Sequence, residues 1–179
     1  TAPMFLEQLN KMIASEKISK ESKILFVNDG SKDNTLGCLK KLAEKHGGDV
    51  VKYISFSRNF GKEAALLAGL RNASGDFTAI IDADLQQRPE YILQMLEILN
   101  EHSEYDAVAA YQDKRKEGRV LTFFKDCFYK IIDKVTDVEM VRAASDFRLL
   151  RRNVVDAICN LPEKCRFSKG IFSWVGFNT

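Results

Sequence analysis

Two carboxylates and an amide follow an apolar segment near the middle of the chain. Residues 77–81 read Phe-Thr-Ala-Ile-Ile, which is typical of a buried strand, and Asp82, Asp84 and Gln86 come after them. Side chains two residues apart on a strand share a face, so both carboxylates can converge on one point. Hard cations such as Mg2+ and Mn2+ bind oxygen ligands of this kind, and a diphosphate can complete their coordination. The segment therefore predicts a metal or nucleotide site beyond the carboxyl end of a strand.

The alternative is that these carboxylates only cap the next helix or decorate a turn. Pro89 suits the first turn of that helix. A helix starting there lies too far beyond Asp84 for an N-cap contact, which favours the ligand-binding interpretation.

A second polar turn follows the apolar segment Ile24–Val27. It contains Asn28, Asp29 and Gly30 and ends at an Asn-Thr pair. Asp-Gly and Asn-Thr are ordinary turn and helix-cap chemistry, which is the favoured interpretation from these residues alone. Asp29 also stands at a strand's carboxyl end, where it can accept hydrogen bonds from the ribose or base of a nucleotide.

A third polar segment, residues 57–62, again joins a strand to a helix. It includes Arg58, Asn59 and Lys62, and basic residues beside an exposed helix N-terminus suit a phosphate or another anion. A solvated loop is the alternative. The chain has no GxGxxG or GxxxxGK[ST] sequence, which disfavours dinucleotide oxidoreductases and P-loop enzymes.

Short apolar runs alternate with segments of helical period, as in an α/β domain with a mostly parallel sheet. The predicted strands are Ile24–Val27, Val51–Ser57, Phe77–Ile81 and Asp106–Ala110. The predicted helices between them are Pro3–Ser15, Thr35–His46, Lys62–Arg71 and Pro89–Asn100. After Ala110 the alternation breaks, and we predict a charged stretch, a helix, an extended piece and a further helix at residues 113–119, Leu121–Val135, Phe147–Leu150 and Asn153–Asn160.

The composition indicates one globular domain with a substantial core, since 45% of the 179 residues are hydrophobic and 29% are charged. A net charge of +2 gives no signal for nucleic acid as a partner. Four cysteines without a CxxC pair indicate reduced, mostly buried thiols. No apolar stretch approaches the roughly 18 residues that a membrane-spanning helix needs. These features alone predict a soluble cytosolic domain.

Five segments together resemble family 2 glycosyltransferases, which have the GT-A fold. They read VNDGSKDNT, SFSRNFGKEAALLAG, DADLQQRPE, SDFRLLRRNVVDAI and RFSKGIFSWVGF, and they cover nearly the whole chain in order. Within that family they are similar to the polyprenyl-phosphate hexosyltransferases, which include dolichyl-phosphate mannose synthases and bactoprenol glucosyltransferases.

The resemblance implies a donor site at the carboxyl ends of the predicted strands. In such enzymes the segment matching Asp82, Asp84 and Gln86 binds a divalent metal, Mg2+ or Mn2+, together with the donor diphosphate. The aspartate matching Asp29 contacts the nucleoside. With Asp29 and Asp82, we expect four further residues to bind the nucleotide-sugar: Gly30, Arg58, Asn59 and Lys62.

The resemblance also implies an acceptor site for a polyprenyl phosphate. The segment that holds Asp146 and Arg148 lines it, and with Asp84 these two residues form the expected catalytic set. Asp146 either orients the acceptor or simply pairs with Arg148 or Arg151. Four basic residues are the candidates for binding the lipid phosphate: Arg115, Arg119, Arg166 and Lys169.

Two parts of the family pattern are absent from the sequence. One is a first apolar strand that ends in a Pro-x-Tyr-Asn-Glu-like motif, and the other is the C-terminal set of membrane helices. We therefore expect a chain truncated at both ends, with a further strand encoded upstream of Thr1 and anchoring at the cytoplasmic face of a membrane. Lys125, Lys130 and Lys134 can let the helix Leu121–Val135 lie against an anionic membrane surface, although plain core packing is an equal alternative.

The activity implied by the resemblance is inverting transfer of a hexose, with UDP-glucose as the first donor to consider and GDP-mannose as the second. One alternative is a family 2 transferase that acts on a saccharide or glycolipid hydroxyl, although the Gln-x-x-Arg-Trp motif of processive members is absent. Another is a non-catalytic module that binds nucleotide-sugars. The sequence leaves a homo-oligomer open.

Overall fold

The computed structural model describes residues 2–15, 18–84, 86–111, 144–162 and 168–179. The helices are α1 Ala2–Ala14, α2 Thr35–His46, α3 Lys62–Asn72, α4 Tyr91–Glu101, α5 Arg152–Asn160 and α6 Ser168–Trp174. The strands are β1 Ile24–Asn28, β2 Val51–Ser55, β3 Phe77–Ile80, β4 Ala107–Tyr111 and β5 Ala144–Arg151. The predicted helix Leu121–Val135 lies outside the described residues.

The first two strands form a parallel pair. Ile24 lies opposite Val51, and the register continues to Asn28 opposite Ser55. The intervening helix α2 packs against both strands, as expected for the crossover of a parallel β-α-β unit. The predicted second strand extended to Ser57, but pairing ends after the Phe56 amide donates to the Asn28 carbonyl at 2.9 Å.

The other three strands form a sheet in which β5 lies between β3 and β4 and is antiparallel to both. Ile80 lies opposite Arg148, and Ala107 lies opposite Leu150. β3 and β4 therefore run in the same direction. The sequence predicted only a short extended piece here, whereas the strand spans Ala144–Arg151. Parallel and antiparallel pairs together with the flanking helices confirm the predicted α/β class.

The middle strand β5 is buried on both faces, so successive side chains enter different clusters. Phe147 and Leu149 pack with Met95 and Leu99 of α4. Leu150, on the other face, packs with residues of α3, α5 and α6, namely Leu70, Val154, Val155, Ile158 and Phe172. Burial of a side chain such as Leu150 stabilises a fold by about 1.5–3 kcal/mol. This buried strand carries Asp146 and Arg148.

Two strand edges lack a partner within the described residues. In the described part of the chain, β1 pairs only with β2, and β3 pairs only with β5. Helix α3 packs against β1, and its Leu66 also joins the cluster that contains Ile80 of β3. Helix α3 therefore contacts both strands that have an unpaired edge in the described residues. The expected strand upstream of Thr1 stays a prediction.

The two described cysteines differ in their exposure. Cys38 is exposed and Cys159 is half-buried, both as free thiols, so the prediction of buried cysteines is wrong for Cys38. The buried position of α2 is its neighbour Leu39, and one residue step of about 100° around the helix turns Cys38 away from that buried face. Within the described ranges, no helix is both long and apolar enough to cross a bilayer.

Candidate active site

The Asp29 carboxylate joins the loop after β1 to the start of α3. One oxygen accepts the Phe60 amide at 2.7 Å and the other accepts the Gly61 amide at 2.9 Å. Because α3 begins at Lys62, the carboxylate lies where helix amides lack partners and where negative charge is favoured. Asp29 is therefore a structural link between two loops, whatever its part in nucleoside binding, which stays a prediction.

Gly30 lies against the backbone of the neighbouring loop. Its φ is +67°, and a Cβ there would stand 2.2 Å from the Arg58 carbonyl carbon and 2.5 Å from the Asn59 nitrogen. Glycine alone combines this backbone angle with so close an approach. The predicted donor-site residue Gly30 thus has a clear packing role, which brings the turn of β1 and the loop after β2 into contact.

Asn28 is a site residue that the sequence analysis treated only as part of a turn. It is 5% exposed, its amide nitrogen donates to the Ser55 hydroxyl at 3.1 Å, and its oxygen accepts the Ser31 amide at 3.1 Å. These bonds tie the strand end to β2 and shape the turn that holds Asp29. A polar residue at the end of an apolar strand was the available signal.

The exposed part of the loop after β2 carries a cation beside an aromatic ring. The Arg58 guanidinium lies 4.8 Å from the Phe60 ring centroid, and Phe60 packs edge-on against Phe56 at 5.5 Å. Arg58, Asn59 and Phe60 are all exposed. The arrangement holds the guanidinium at the edge of the site, where an anionic ligand can reach it.

The carboxylate segment after β3 does not cap the next helix. Helix α4 begins at Tyr91 with no side-chain cap hydrogen bond, so the helix-cap alternative for Asp82 and Asp84 is wrong. Asp84 is exposed and accepts the Gln86 amide at 2.9 Å, which closes a short turn. Turn formation and ligand binding are compatible for this carboxylate, because a carboxylate has about four acceptor positions.

Lys62 joins the carboxylate segment to β5. Its ammonium lies 2.8 Å from an Asp82 oxygen and 2.7 Å from an Asp146 oxygen. Partial burial lowers the pKa of Lys62, but the hydrogen bonds and charges of Asp146 and Asp82 outweigh it and raise that pKa above its ordinary value. The sequence analysis placed Lys62 on the donor phosphate, whereas here its charge is shared by two carboxylates.

The register of β3 and β5 explains why a lysine is needed. Ile80 lies opposite Arg148, so continuing the ladder by two residues would set Asp82 opposite Asp146. Like charges that face each other across an antiparallel pair are destabilising. The Lys62 ammonium compensates both carboxylates, and the ladder itself stops at Ile80.

A second link joins the same segments through Gln87 and Ser145, which the sequence analysis did not single out. The Gln87 oxygen accepts the Asp82 amide at 3.0 Å, and its nitrogen donates to the Ser145 hydroxyl at 3.2 Å. The Ser145 hydroxyl also accepts the Phe147 amide at 3.2 Å. No local sequence pattern predicts a contact between residues so far apart in the chain.

Arg148 points away from the solvent. It is 5% exposed, and its guanidinium lies 4.3 Å from the ring centroid of Phe172 in α6. Burial lowers the pKa of Arg148, and the charge of Asp146 partly offsets that effect. Its Nε is buried without a hydrogen-bond partner in the described part of the chain. Arg148 therefore supports the floor of the site beside Asp146.

The alternatives left open for Asp146 are partly decided. Arg151 donates to the carbonyls of Tyr105 and Leu99 and stacks on Phe77, so the suggested pairing of Asp146 with Arg151 is wrong. Among the described residues, the ion-pair partner of Asp146 is Lys62, with Arg148 as a second nearby positive charge. Orientation of an acceptor by Asp146 stays a prediction.

The predicted lipid-phosphate residues are not placed by the structure. Arg115, Arg119 and Arg166 lie outside the described residues, and so does the side chain of Lys169. Their role stays a prediction.

A divalent cation fits the chemistry of Asp82, Asp84 and Gln86. The described residues contain no group of three or more His, Cys, Asp or Glu side chains arranged to hold a metal ion. Mg2+ is usually bound by one or two carboxylates plus substrate phosphates instead of an all-protein cage. Two half-exposed or exposed carboxylates at a strand end match that pattern, with a donor diphosphate supplying further oxygens.

The sequence profile described as glycosyl transferase family 2 matches residues 3–159. The chain belongs to this family. Its α/β structure is accordingly that of a family 2 GT-A domain, as the sequence motifs predicted.

Three relatives of this chain have informative names. The putative glycosyltransferase CsbB of Bacillus subtilis is 42% identical over 98% of the chain and 54% of the relative. The bactoprenol glucosyl transferase of Shigella phage SfV is 42% identical over 89% of the chain and 51% of the relative. The prophage bactoprenol glucosyl transferase homolog of Escherichia coli is 38% identical over 99% of the chain and 56% of the relative. The chain spans about half the length of the curated relatives it matches.

Proposed function

We propose that this family 2 transferase moves a hexose from a nucleotide-sugar to a polyprenyl phosphate by an inverting, metal-dependent reaction. The observation that carries the proposal is that Lys62 joins the carboxylate segment after β3 to β5. Its ammonium lies 2.8 Å from an Asp82 oxygen and 2.7 Å from an Asp146 oxygen. The names of the bactoprenol relatives support a lipid phosphate as the acceptor. UDP-glucose is the first donor to test and GDP-mannose the second.

Asp82, Asp84 and Gln86 are the residues that would hold Mg2+ or Mn2+. When bound, the cation would neutralise the charge that develops on the leaving nucleoside diphosphate. Asp29 and Gly30 hold the two neighbouring loops together, and Arg58 and Asn59 offer exposed polar groups beside them. These residues would bind and orient the donor.

In the proposed reaction a phosphate oxygen of the acceptor attacks the anomeric carbon from the face opposite the leaving group. The new carbon–oxygen bond forms as the bond from that carbon to the nucleoside diphosphate breaks, and the diphosphate leaves with the electron pair. The acceptor phosphate is already ionised near neutral pH, so little is required of a general base. Asp146, whose carboxylate is paired with Lys62, would orient the acceptor, which makes positioning the main contribution of the protein.

The chemical nature of the two substrates indicates where the reaction takes place. A polyprenyl phosphate is a membrane lipid, and a nucleotide-sugar is a water-soluble donor, so we place the reaction at the cytoplasmic face of a membrane. Four basic residues are proposed to bind the lipid phosphate, because charge-assisted bonds to phosphate are among the stronger polar contacts. They are Arg115, Arg119, Arg166 and Lys169.

The direct experiment uses the full-length protein with labelled UDP-glucose or GDP-mannose, with and without polyprenyl phosphate. We expect organic-extractable label that depends on both the lipid and Mg2+ or Mn2+. Transfer of label to a saccharide or glycolipid hydroxyl would show that the acceptor is a different molecule. Donor binding without any transfer would indicate a binding module. Either of these results would contradict the proposal.

A further inference from the structure

Gln87 lies where the ladder between β3 and β5 ends. The last paired residues of the described ladder are Ile80 and Arg148, although the next positions on both strands continue towards Asp82 and Asp146. Beyond this pair the structure describes no further pairing of β3 with β5, and the Asp82 backbone amide donates to the side chain of Gln87.

The Gln87 side-chain amide satisfies both chains at this point. Its oxygen accepts the Asp82 backbone amide at 3.0 Å, and its nitrogen donates to the Ser145 hydroxyl at 3.2 Å. The orientation of the amide is fixed by chemistry, because a backbone N–H can only donate and must therefore meet the oxygen. Gln87 is half-buried, so the two bonds are partly protected from water.

Lys62 bridges the same two segments through side chains. Its ammonium contacts the carboxylates of Asp82 and Asp146, whereas Gln87 contacts the Asp82 backbone and Ser145. Asp82 is thus held at two points, because Lys62 contacts its carboxylate and Gln87 contacts its backbone amide. Together these contacts keep Asp82 in one position relative to β5.

We propose that Gln87 is a positioning residue, which fixes the main chain of the cation-binding segment against the strand that carries Asp146 and Arg148. The proposal rests on the proposed function in one respect, namely that Asp82 and Asp84 bind the cation. Both described bonds of the Gln87 side chain are to the protein itself, at the Asp82 amide and the Ser145 hydroxyl. Groups that orient metal ligands in this way typically contribute 10–100-fold to metal affinity or activity.

The first test is hydrogen exchange at the Asp82 amide, measured by mass spectrometry with fragmentation on the full-length protein. Gln87→Met removes the acceptor while keeping an unbranched side chain of similar length, so exchange at Asp82 should become faster. Gln87→Glu keeps an acceptor oxygen, and the Ser145 hydroxyl can turn to donate to it. This variant should retain slow exchange. Gln94→Met, at an exposed position of α4, is the matched control and should match the wild type.

The second test is Mn2+ affinity, measured by electron paramagnetic resonance without donor or acceptor. We expect the dissociation constant to rise about tenfold in Gln87→Met and to stay within twofold of wild type in Gln94→Met. In turnover assays, kcat and the metal requirement should change more than the acceptor KM. If Gln87→Met does not fold, Ser145→Ala removes the other half of the bridge and should weaken Mn2+ binding in the same direction.

The outcomes separate this inference from the proposed function. Unchanged exchange at Asp82 in Gln87→Met would overturn the positioning role, even in an active transferase, and so would unchanged Mn2+ affinity. A wild-type protein that binds Mn2+ but transfers no hexose would contradict the proposed function and leave the role of Gln87 standing. A wild-type protein that binds no Mn2+ even with a nucleoside diphosphate present would contradict both, because the segment would then hold no cation to position.

Discussion

Asp82, which follows β3, and Asp146 of β5 share one counter-ion, because the Lys62 ammonium lies within hydrogen-bond distance of both carboxylates. Asp82 belongs to the segment expected to bind the cation and donor, and Asp146 belongs to the strand expected to orient the acceptor. Lys62 therefore connects the two halves of the proposed reaction. Its raised pKa keeps it charged throughout the physiological range.

The first prediction concerns this counter-ion. In Lys62→Met, the Asp82 carboxylate loses its positively charged partner and becomes free to bind a divalent cation. The affinity for Mn2+ in the absence of donor should therefore rise about tenfold. The metal-free protein should unfold at a lower temperature, since two carboxylates then face each other. The measurements are Mn2+ titration and thermal unfolding. Lys52→Met, at an exposed position of β2, is the control, and weaker Mn2+ binding in Lys62→Met would count against the account.

A second prediction concerns the contact between the two donor-side loops. Gly30→Ala should destabilise the fold by about 3 kcal/mol or more, because a Cβ would overlap the backbone of Arg58 and Asn59. Gly47 has a φ of +83° and a ψ of 143°, and no atom of the described residues lies within 4 Å of an added Cβ. Gly47→Ala should therefore cost only the backbone strain of this region, about 1–3 kcal/mol. Urea unfolding of both variants compares them, and equal losses would mean that the close contact at Gly30 is unimportant.

The third prediction concerns the edge of β1 that has no partner within the described residues. We expect a strand from upstream of Thr1 to pair there, because an unpaired edge of a covered strand leaves backbone groups without partners. The β1 amides that point away from β2 should then exchange slowly in the full-length protein and faster in residues 1–179 alone. Equal exchange in the two forms would show that no such strand pairs with β1.

The fourth prediction concerns the acceptor phosphate. Arg166→Ala or Lys169→Ala should raise the KM for polyprenyl phosphate more than the KM for the sugar donor, because each substitution removes a charge proposed to contact the lipid phosphate. Arg71→Ala, an exposed change at the end of α3, serves as the control for lost positive charge. Equal changes in both KM values would remove Arg166 and Lys169 from the acceptor site.

Local patterns predicted the elements well and the contacts between them poorly. The start of β1 and both bounds of α2 agree with the sequence, because apolar period and turn residues are local signals. Helix α4 begins at Tyr91 instead of Pro89, since the Ile92 and Leu93 amides bond three residues back and make a tight turn first.

The links within the site depend on tertiary geometry that the sequence does not display. Lys62 and Asp146 are 84 positions apart in the numbering, and their meeting follows from the antiparallel position of β5 beside β3. No local pattern indicated that pairing direction. For the same reason Asp29 was interpreted as turn or nucleoside chemistry, whereas its carboxylate also accepts two amides at the start of α3.

The central claim is that the carboxylates after β3 hold a catalytic cation, and Asp84→Asn tests it most directly. Asparagine keeps the oxygen that accepts the Gln86 amide, so the turn and thermal stability should be preserved, but it loses the charge that a hard cation needs. Asp33→Asn is the matched control, because Asp33 accepts the Thr35 amide in the same kind of turn.

The measurement is the initial rate of hexose transfer against Mg2+ or Mn2+ concentration for the wild type and both variants. We expect Asp84→Asn to lower turnover by about 10²–10³ and Asp33→Asn to leave it near the wild-type value. Near-normal turnover with an unchanged metal requirement in Asp84→Asn would contradict the account and reduce Asp84 to a turn residue.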